Sequence, residues 1–124
     1  MVRTAVQLYT LRSLGAPLPA VLDRVGAAGY DGVEFAYRVR EARIDDVSAA
    51  LARNDLAVAS AHVPIEALED DFDGVVEFYD RLGADVLVVP WLDPEHFETE
   101  AAVDAAAARL DALADALRGG GVRL

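Results

Sequence analysis

Short apolar runs alternate with longer amphipathic stretches along the whole chain. The runs lie at 5–9, 33–36, 58–63 and 86–91, and each has the length of a β-strand. Most of their residues are apolar on both faces, which is typical of parallel strands covered by helices. The pattern therefore predicts four parallel strands.

The stretches between the runs repeat apolar residues at intervals of three and four, as helices do. The first helix is predicted at 19–28, with Pro19 in its opening turn and Gly29 as its stop. Asp70 or Asp71 is expected to cap the third helix, and Thr99 the fourth. The apolar positions of the last three helices are Ile44, Val47 and Leu51; Phe72, Val75, Tyr79 and Leu82; and Val103, Leu110, Leu113 and Leu117.

The order of these elements is that of an α/β protein built from strand–helix units. The apolar residues 122–124 follow three glycines and resemble the start of a fifth strand. Two architectures fit: an open doubly wound sheet, favoured by the length of 124 residues, or part of a closed barrel of eight units. Against the open sheet, the first strand is followed by neither G-x-G-x-x-G nor G-x-x-x-x-G-K.

Charge and composition narrow the possible partners. The chain has 22 acidic residues and 11 basic ones, all arginine, for a net charge of −11. This balance argues against nucleic acid or an anionic membrane as a partner, and it is typical of halophilic proteins. There is no cysteine, no run long enough to span a membrane and no recognisable signal peptide, so we expect a cytoplasmic protein.

Polar and aromatic side chains occur near the ends of the predicted strands. In parallel α/β folds the carboxyl ends of the strands face the ligand, so these residues are candidates for substrate binding. They are Gln7, Tyr9, Glu34, His62 and Trp91. A carboxylate in a buried strand needs compensation. The charge of Glu34 is expected to be compensated either by an ordinary structural contact, to the backbone or to Arg12 or Arg38, or by a substrate or a metal ion.

The other chemical candidates are also open to structural interpretations. His62 has the chemistry to bind a metal, donate to a substrate oxygen or move a proton, or it is a core histidine satisfied by its neighbours. Trp91 suits stacking on a sugar, or plain packing. Ser60 has no visible base and acid partners for a hydrolase triad. His96 is expected to be solvated, and the acidic run 69–73 to start a helix.

Four segments together resemble the xylose-isomerase-like TIM barrels, the sugar phosphate isomerase/epimerase proteins. They are VQLYTLR at 6–12, AGYDGVEF at 28–35, SAHV at 60–63, and LGAD leading into VVPW at 82–91. The resemblance implies that residues 1–124 form the N-terminal part of a single barrel domain, with four to five of the eight β/α units of a (β/α)₈ fold.

The same resemblance implies metal-assisted proton transfer on a sugar or polyol. It implies a divalent cation, Mn, Mg, Co or Zn, whose principal ligands lie on strands five to eight and so not on this chain. His62 matches a position that binds zinc in endonuclease relatives, and Glu34 the carboxylate of the second strand.

The first hypothesis is therefore an isomerase or epimerase half that is inactive alone and needs a missing C-terminal half. The alternatives are a non-catalytic module that binds a small molecule, and a half-barrel subunit that closes a barrel as a homodimer.

Overall fold

The computed structural model describes the backbone of residues 1–124 and every side chain except that of Tyr37. Four strands alternate with helices. The strands are β1 (Ala5–Gln7), β2 (Gly32–Phe35), β3 (Ala57–His62) and β4 (Leu87–Val88). The helices are α1 (Leu18–Ala27), α2 (Ile44–Arg53), α3 (Ile65–Asp70), α4 (Phe72–Arg81) and α5 (Glu100–Arg118). Short 3₁₀ segments lie at Leu8–Leu11, Tyr37–Glu41 and Pro94–Phe97.

The four strands form one parallel sheet in the order β1-β2-β3-β4. The tail adds to it, because Arg123 forms a parallel bridge with Val86 and its carbonyl accepts from the N–H of Leu87 at 2.8 Å. A doubly wound sheet reverses its strand order at a switch point, whereas a (β/α)₈ barrel keeps the order of the chain. The predicted half barrel is therefore confirmed, and the beginning of a fifth strand is present.

The helices cover one face of the sheet and leave the other open. Val33, Phe35 and Ala61 are fully buried among the helices, with Leu87 beside them. The strands are short and contribute few buried side chains, so most of the hydrophobic core comes from residues of the helices. They include Leu22, Val25, Val47, Ala50, Leu68 and Val75.

Several predicted element ends differ from the structure. β1 ends at Gln7 because the chain turns into a 3₁₀ segment that buries Leu8. β4 has two residues rather than six, and Pro90, which has no N–H to donate, prevents the ladder from continuing to Trp91. The sequence analysis missed α3, a helix of six residues that begins after Pro64 and buries Ile65 and Leu68.

The helix starts agree with their predicted caps. Thr99 Oγ1 accepts a hydrogen bond from the N–H of Ala102 at 3.1 Å, and Asp71 accepts from Gly74 at 3.2 Å. The acidic run 69–73 does not simply open a helix, since it ends α3 and caps α4. Val103, predicted to face the core, is instead 43% exposed.

Polar contacts join α1 to α2. Arg53 donates to both carboxylate oxygens of Asp23, at 2.7 and 2.8 Å, and Asn54 donates to the same group at 2.6 Å. The hydrogen bonds from Arg53 and Asn54 lower the pKa of Asp23 to about 2. Gly26 makes the approach of the two helices possible, because a Cβ there would lie 2.8 Å from Asn54 Cβ.

Replacing Gly26 by alanine is expected to lower the free energy of unfolding by up to about 2 kcal/mol. Overpacking costs about 1–3 kcal/mol, and the better helix propensity of alanine returns about 1 kcal/mol. Urea denaturation followed by circular dichroism measures the difference. Gly15→Ala is the control, since a Cβ at that position meets nothing within 4 Å. A G26A protein clearly more stable than wild type, showing the helix-propensity gain with no packing cost, would contradict the close packing.

Candidate binding site at the carboxyl ends of the strands

Three polar side chains lie side by side across the first three strands. Gln7 pairs in register with Glu34, and Glu34 with Ser60. The register shifts between Val33 and Glu34, because Val33 pairs with Val58 and leaves Ala59 as an extra residue in β3. The shift brings Ser60, rather than Ala59, beside Glu34, and His62 follows on the same face. We call Gln7, Glu34, Ser60 and His62 the polar row.

Hydrogen bonds join the polar row into one unit. Ser60 Oγ donates to Glu34 Oε2, and His62 Nε2 lies 3.0 Å from Glu34 Oε1. The side chains of His62 and Glu34 are 20% and 25% exposed, so water reaches both only in part. Both carboxylate oxygens thus have a protein partner and retain lone pairs for a further donor.

The pKa of Glu34 lies below its ordinary value. Burial raises this pKa, but the hydrogen bonds from Ser60 and Gln7 and the interactions with His62 together outweigh burial. Glu34 is therefore an ionised carboxylate at neutral pH. An ionised carboxylate is an acceptor only, which suits the hydroxyl groups of a sugar or polyol.

The structure shows which protein groups compensate the charge of Glu34. Arg38 does not compensate it, because its guanidinium donates to the carbonyls of Leu14 and Ala16. Arg12 donates to the carbonyl of Tyr9 and lies over that ring. The partners of Glu34 are instead the members of the polar row, so the carboxylate is compensated within the site.

The polar row borders a cleft of about 650 Å³. Four of the five predicted site residues line it directly, and Glu34 reaches it through its contact with His62. Trp91 and Tyr9 stand at its rim, 65% and 49% exposed. The complete lining is Gln7, Tyr9, Ala36, Arg40, His62, Pro64, Ala67, Asp70, Asp71, Tyr79, Pro90 and Trp91.

Sequence reasoning missed three contributors to this region. Ser60 was considered only as a nucleophile, but its hydroxyl donates to a carboxylate instead of an imidazole, so a Ser-His-acid relay is not formed. Tyr79 was assigned to the core; it is 2% exposed, yet its hydroxyl lies 3.4 Å from the carbonyl of His62. Arg40 carried no signal of its own in the sequence.

The described residues do not by themselves fit a divalent cation. Such an ion takes four or more ligands. Among the side chains that the structure describes, no group of three or more His, Asp or Glu is suitably placed. Glu34 and His62 are hydrogen-bonded to each other, and His96 lies on the 3₁₀ segment Pro94–Phe97, outside the lining of the cleft.

Solved structures share this fold. An AP endonuclease of family 2 from Brucella melitensis matches with a TM-score of 0.74 and 19% identity, over 98% of this chain and 53% of its own. A sugar phosphate isomerase/epimerase from Parabacteroides distasonis matches with a TM-score of 0.72 and 17% identity, over 97% of this chain and 49% of its own. A second protein of that description from the same organism matches with a TM-score of 0.69 and 15% identity, over 97% of this chain and 51% of its own.

The chain thus has the fold of about half of each barrel protein that it matches. At these identities the likeness concerns the fold, and it agrees with the family that the sequence resembles. No family model matches the chain, and no curated protein matches it by sequence. None of the helices that the structure describes is long and apolar enough to cross a membrane.

Proposed function

We propose that this chain forms the sugar- or polyol-binding wall of an isomerase or epimerase with a TIM-barrel fold. One observation carries the proposal: the polar row sets an ionised carboxylate, held by a hydroxyl and an imidazole, at the carboxyl ends of the strands beside the cleft. Vicinal hydroxyls donate well to such a carboxylate. Trp91 offers the apolar ring face on which sugar C–H groups stack.

The role of this wall in the reaction is to hold and orient the substrate. Glu34 accepts from a substrate hydroxyl, and Gln7 has donors and an acceptor for a second one. Tyr79 and Pro64 also line the cleft. A divalent cation, if bound by a complete barrel, would polarise the substrate oxygens, and its ligands would come from outside the described residues.

A second half is part of the proposal. The face of the sheet that carries the polar row borders the cleft, and among the residues that the structure describes β1 pairs with β2 alone. Open strand edges and apolar barrel interiors favour association. We propose that this face is completed by a C-terminal half or by a second copy of the chain.

DNA is the less favoured substrate, although one structural neighbour is an AP endonuclease. TM-scores of 0.69–0.74 do not separate the two kinds of neighbour, so the preference for a sugar or polyol rests on charge and site chemistry. A phosphate backbone is held chiefly by Lys and Arg. This chain has a net charge of −11 and an anionic carboxylate at the centre of the polar row.

Trp91, the sole tryptophan, provides a direct test. Xylitol, D-xylose and D-xylulose are titrated into the protein while the fluorescence of Trp91 is recorded, with and without Mn²⁺. We expect a saturable change with at least one of them. A duplex containing an abasic site is titrated in parallel at the same ionic strength. Binding of the duplex with no response to any sugar or polyol would contradict the proposal.

A second experiment, on the ligands that bind in this titration, separates catalysis from simple binding. Any ligand that binds is incubated with the protein and the products are analysed by NMR in D₂O. Because isomerisation through proton transfer exchanges a carbon-bound hydrogen, turnover incorporates deuterium. Binding without incorporation by the associated, completed barrel would favour the non-catalytic module.

A further inference from the structure

The imidazole of His62 presents one nitrogen to Glu34 and the other to the cleft. Nε2 lies 3.0 Å from Glu34 Oε1. Two acceptors would repel each other at that distance, so Nε2 carries the proton, and in the neutral ring Nδ1 then has a free lone pair. Among the side chains that the structure describes, none leaves a polar atom buried without a partner. Because Nε2 is the ring atom that contacts Glu34, Nδ1 is the one open to the cleft.

The backbone that carries this imidazole is held on two sides. His62 is the last residue of β3, and the N–H of the next residue, Val63, donates to the carbonyl of Val88 at 2.8 Å. On the helix side, the hydroxyl of Tyr79 lies 3.4 Å from the carbonyl of His62. The ring therefore stands at the carboxyl edge of the sheet on a strand rather than on a loop, which fixes its position more precisely.

Glu34 is itself fixed beside Nε2 by the hydrogen bonds from Ser60 and Gln7. A carboxylate in this place holds the ring in one tautomer and stabilises the imidazolium that forms when the other nitrogen takes up a proton. Ser60 lies against the second carboxylate oxygen, so the imidazole is the end of the row that faces the cleft. The polar row is thus arranged to let Nδ1 of His62 accept and release a proton.

The other polar groups around the cleft are less suited to carry a proton. The guanidinium of Arg40 does not release one. Burial raises the pKa of the Tyr79 hydroxyl, which is directed at a backbone carbonyl. His96 lies outside the lining. Imidazole is the side-chain group that most readily gains and loses a proton near neutral pH, and His62 is the imidazole in the described lining of this cleft.

Interconversion of an aldose and a ketose moves two hydrogens. One moves between neighbouring carbons. The other leaves a hydroxyl oxygen, which becomes the new carbonyl, and reaches the former carbonyl oxygen. Epimerisation beside a carbonyl changes only the carbon-bound hydrogen. A proton carrier that faces the oxygens of the substrate is therefore needed for isomerisation and not for epimerisation.

We infer that His62 is a catalytic residue that moves the oxygen-bound proton of an aldose–ketose isomerisation. A carboxylate of the completing half takes the carbon-bound proton and leaves an enediolate. Nδ1 of His62 then takes the hydroxyl proton, so that the O–H bond breaks, its electron pair stays on that oxygen and an Nδ1–H bond forms. Nδ1 gives the proton to the neighbouring anionic oxygen, which restores the neutral ring. The carboxylate returns its proton to the second carbon, and the new carbonyl forms.

Glu34 acts in this reaction as a positioning residue for the ring, in addition to accepting from the substrate. The inference rests on the proposed function and narrows it to isomerisation. It is tested first on the resting protein and then by turnover.

Nitrogen NMR of protein labelled with ¹⁵N-histidine reports which ring nitrogen carries the proton. His62→Gln and His96→Gln assign the two sets of signals by their disappearance. We expect the neutral ring of His62 to have a protonated Nε2 and a bare Nδ1, and the Nδ1 signal to stay in place when Zn²⁺ is added. A proton on Nδ1 in the neutral ring would overturn the inference, and so would a displacement of this signal by Zn²⁺, since Nδ1 would then be a metal ligand.

Turnover is measured by incubating D-xylose with wild type, H62Q and the control H96Q and following D-xylulose by NMR. Glutamine at position 62 retains an amide N–H for Glu34 but has no atom that carries the proton. We expect H62Q to bind both sugars about as tightly as wild type, by Trp91 fluorescence, and to form D-xylulose about 10²–10⁴ times more slowly. H96Q is expected to keep the wild-type rate. Circular dichroism verifies that each variant is folded.

The results that would overturn the inference differ in what they say about the site. Equal rates in H62Q and wild type, or binding of D-xylose by wild type without formation of D-xylulose, would refute the catalytic role of His62 and leave the sugar-binding wall standing. No fluorescence response to either sugar would refute both.

Discussion

Glutamine at position 34 is expected to weaken sugar or polyol binding about tenfold to a hundredfold. The carboxylate accepts from Ser60 and His62 at the same time. An amide has one acceptor oxygen, so its NH₂ group must face one of these two donors. The variant therefore loses the charge-assisted bond to the substrate, about 1.5–3 kcal/mol, and also disorders the polar row.

The Trp91 titration measures this loss, and Glu77→Gln is the matched control. Glu77 is an exposed carboxylate on α4, so E77Q makes the same chemical change outside the site. Unchanged affinity in E34Q, in a protein whose circular dichroism spectrum is that of wild type, would show that Glu34 does not contact the ligand.

The pH dependence of binding has a definite sign. The pKa of Glu34 is lowered in the folded protein, so its ionised form is the more stable one there. A group with a lowered pKa stabilises the folded protein, and this contribution to the free energy of unfolding is complete above the unfolded-state pKa and is lost as the pH falls through the folded-state pKa. The same lowered pKa keeps Glu34 ionised, and so able to accept from a ligand, at mildly acidic pH. Binding is therefore expected to persist through mildly acidic pH and to decline below the ordinary range of a glutamate. This decline should be absent in E34Q.

Alanine at position 35 is expected to destabilise the fold by about 3–5 kcal/mol. Phe35 is fully buried on the helix-covered face of β2. Removing a buried phenylalanine loses its transfer free energy and leaves a cavity that the surroundings fill only in part. The free energy of unfolding of a single domain is about 5–15 kcal/mol, so F35A is expected to lose a large share of it and to unfold at a much lower urea concentration than wild type.

Urea denaturation followed by circular dichroism at constant ionic strength tests this expectation. Phe97→Ala makes the same substitution at a side chain that is 60% exposed, where a change of about 0.5 kcal/mol or less is expected. If the two variants unfolded at similar urea concentrations, Phe35 would not be a core residue and the assignment of the covered face would be wrong.

Much of the fold was predictable because its signals are local. Apolar runs of strand length, separated by helical periodicity, predicted four parallel strands. Side-chain chemistry also predicted the starts of two helices, since Thr99 and Asp71 each accept from an N–H three residues later. The element ends were less predictable, because β1 stops where burying Leu8 favours a turn over further strand pairing.

The candidate site was predictable in outline for a different reason. Parallel strands place their carboxyl ends at one edge of a sheet, so polar residues at those ends come together whatever the sheet's exact geometry. This rule brought Gln7, Glu34 and His62 together from distant parts of the sequence. It said nothing about Arg40 or Tyr79, whose places depend on how the 3₁₀ segment after β2 and helix α4 pack around the cleft.

The sequence by itself determined the element types, their order and the acidic, cysteine-free character of the chain, because each follows from residue identity or short-range spacing. Only the tertiary structure decided between an open sheet and a half barrel, since strand order depends on contacts between distant segments. It also decided the partner of Glu34. A one-residue shift in β3 puts Ser60 beside it, and such a shift depends on the packing of whole strands, which no local pattern records.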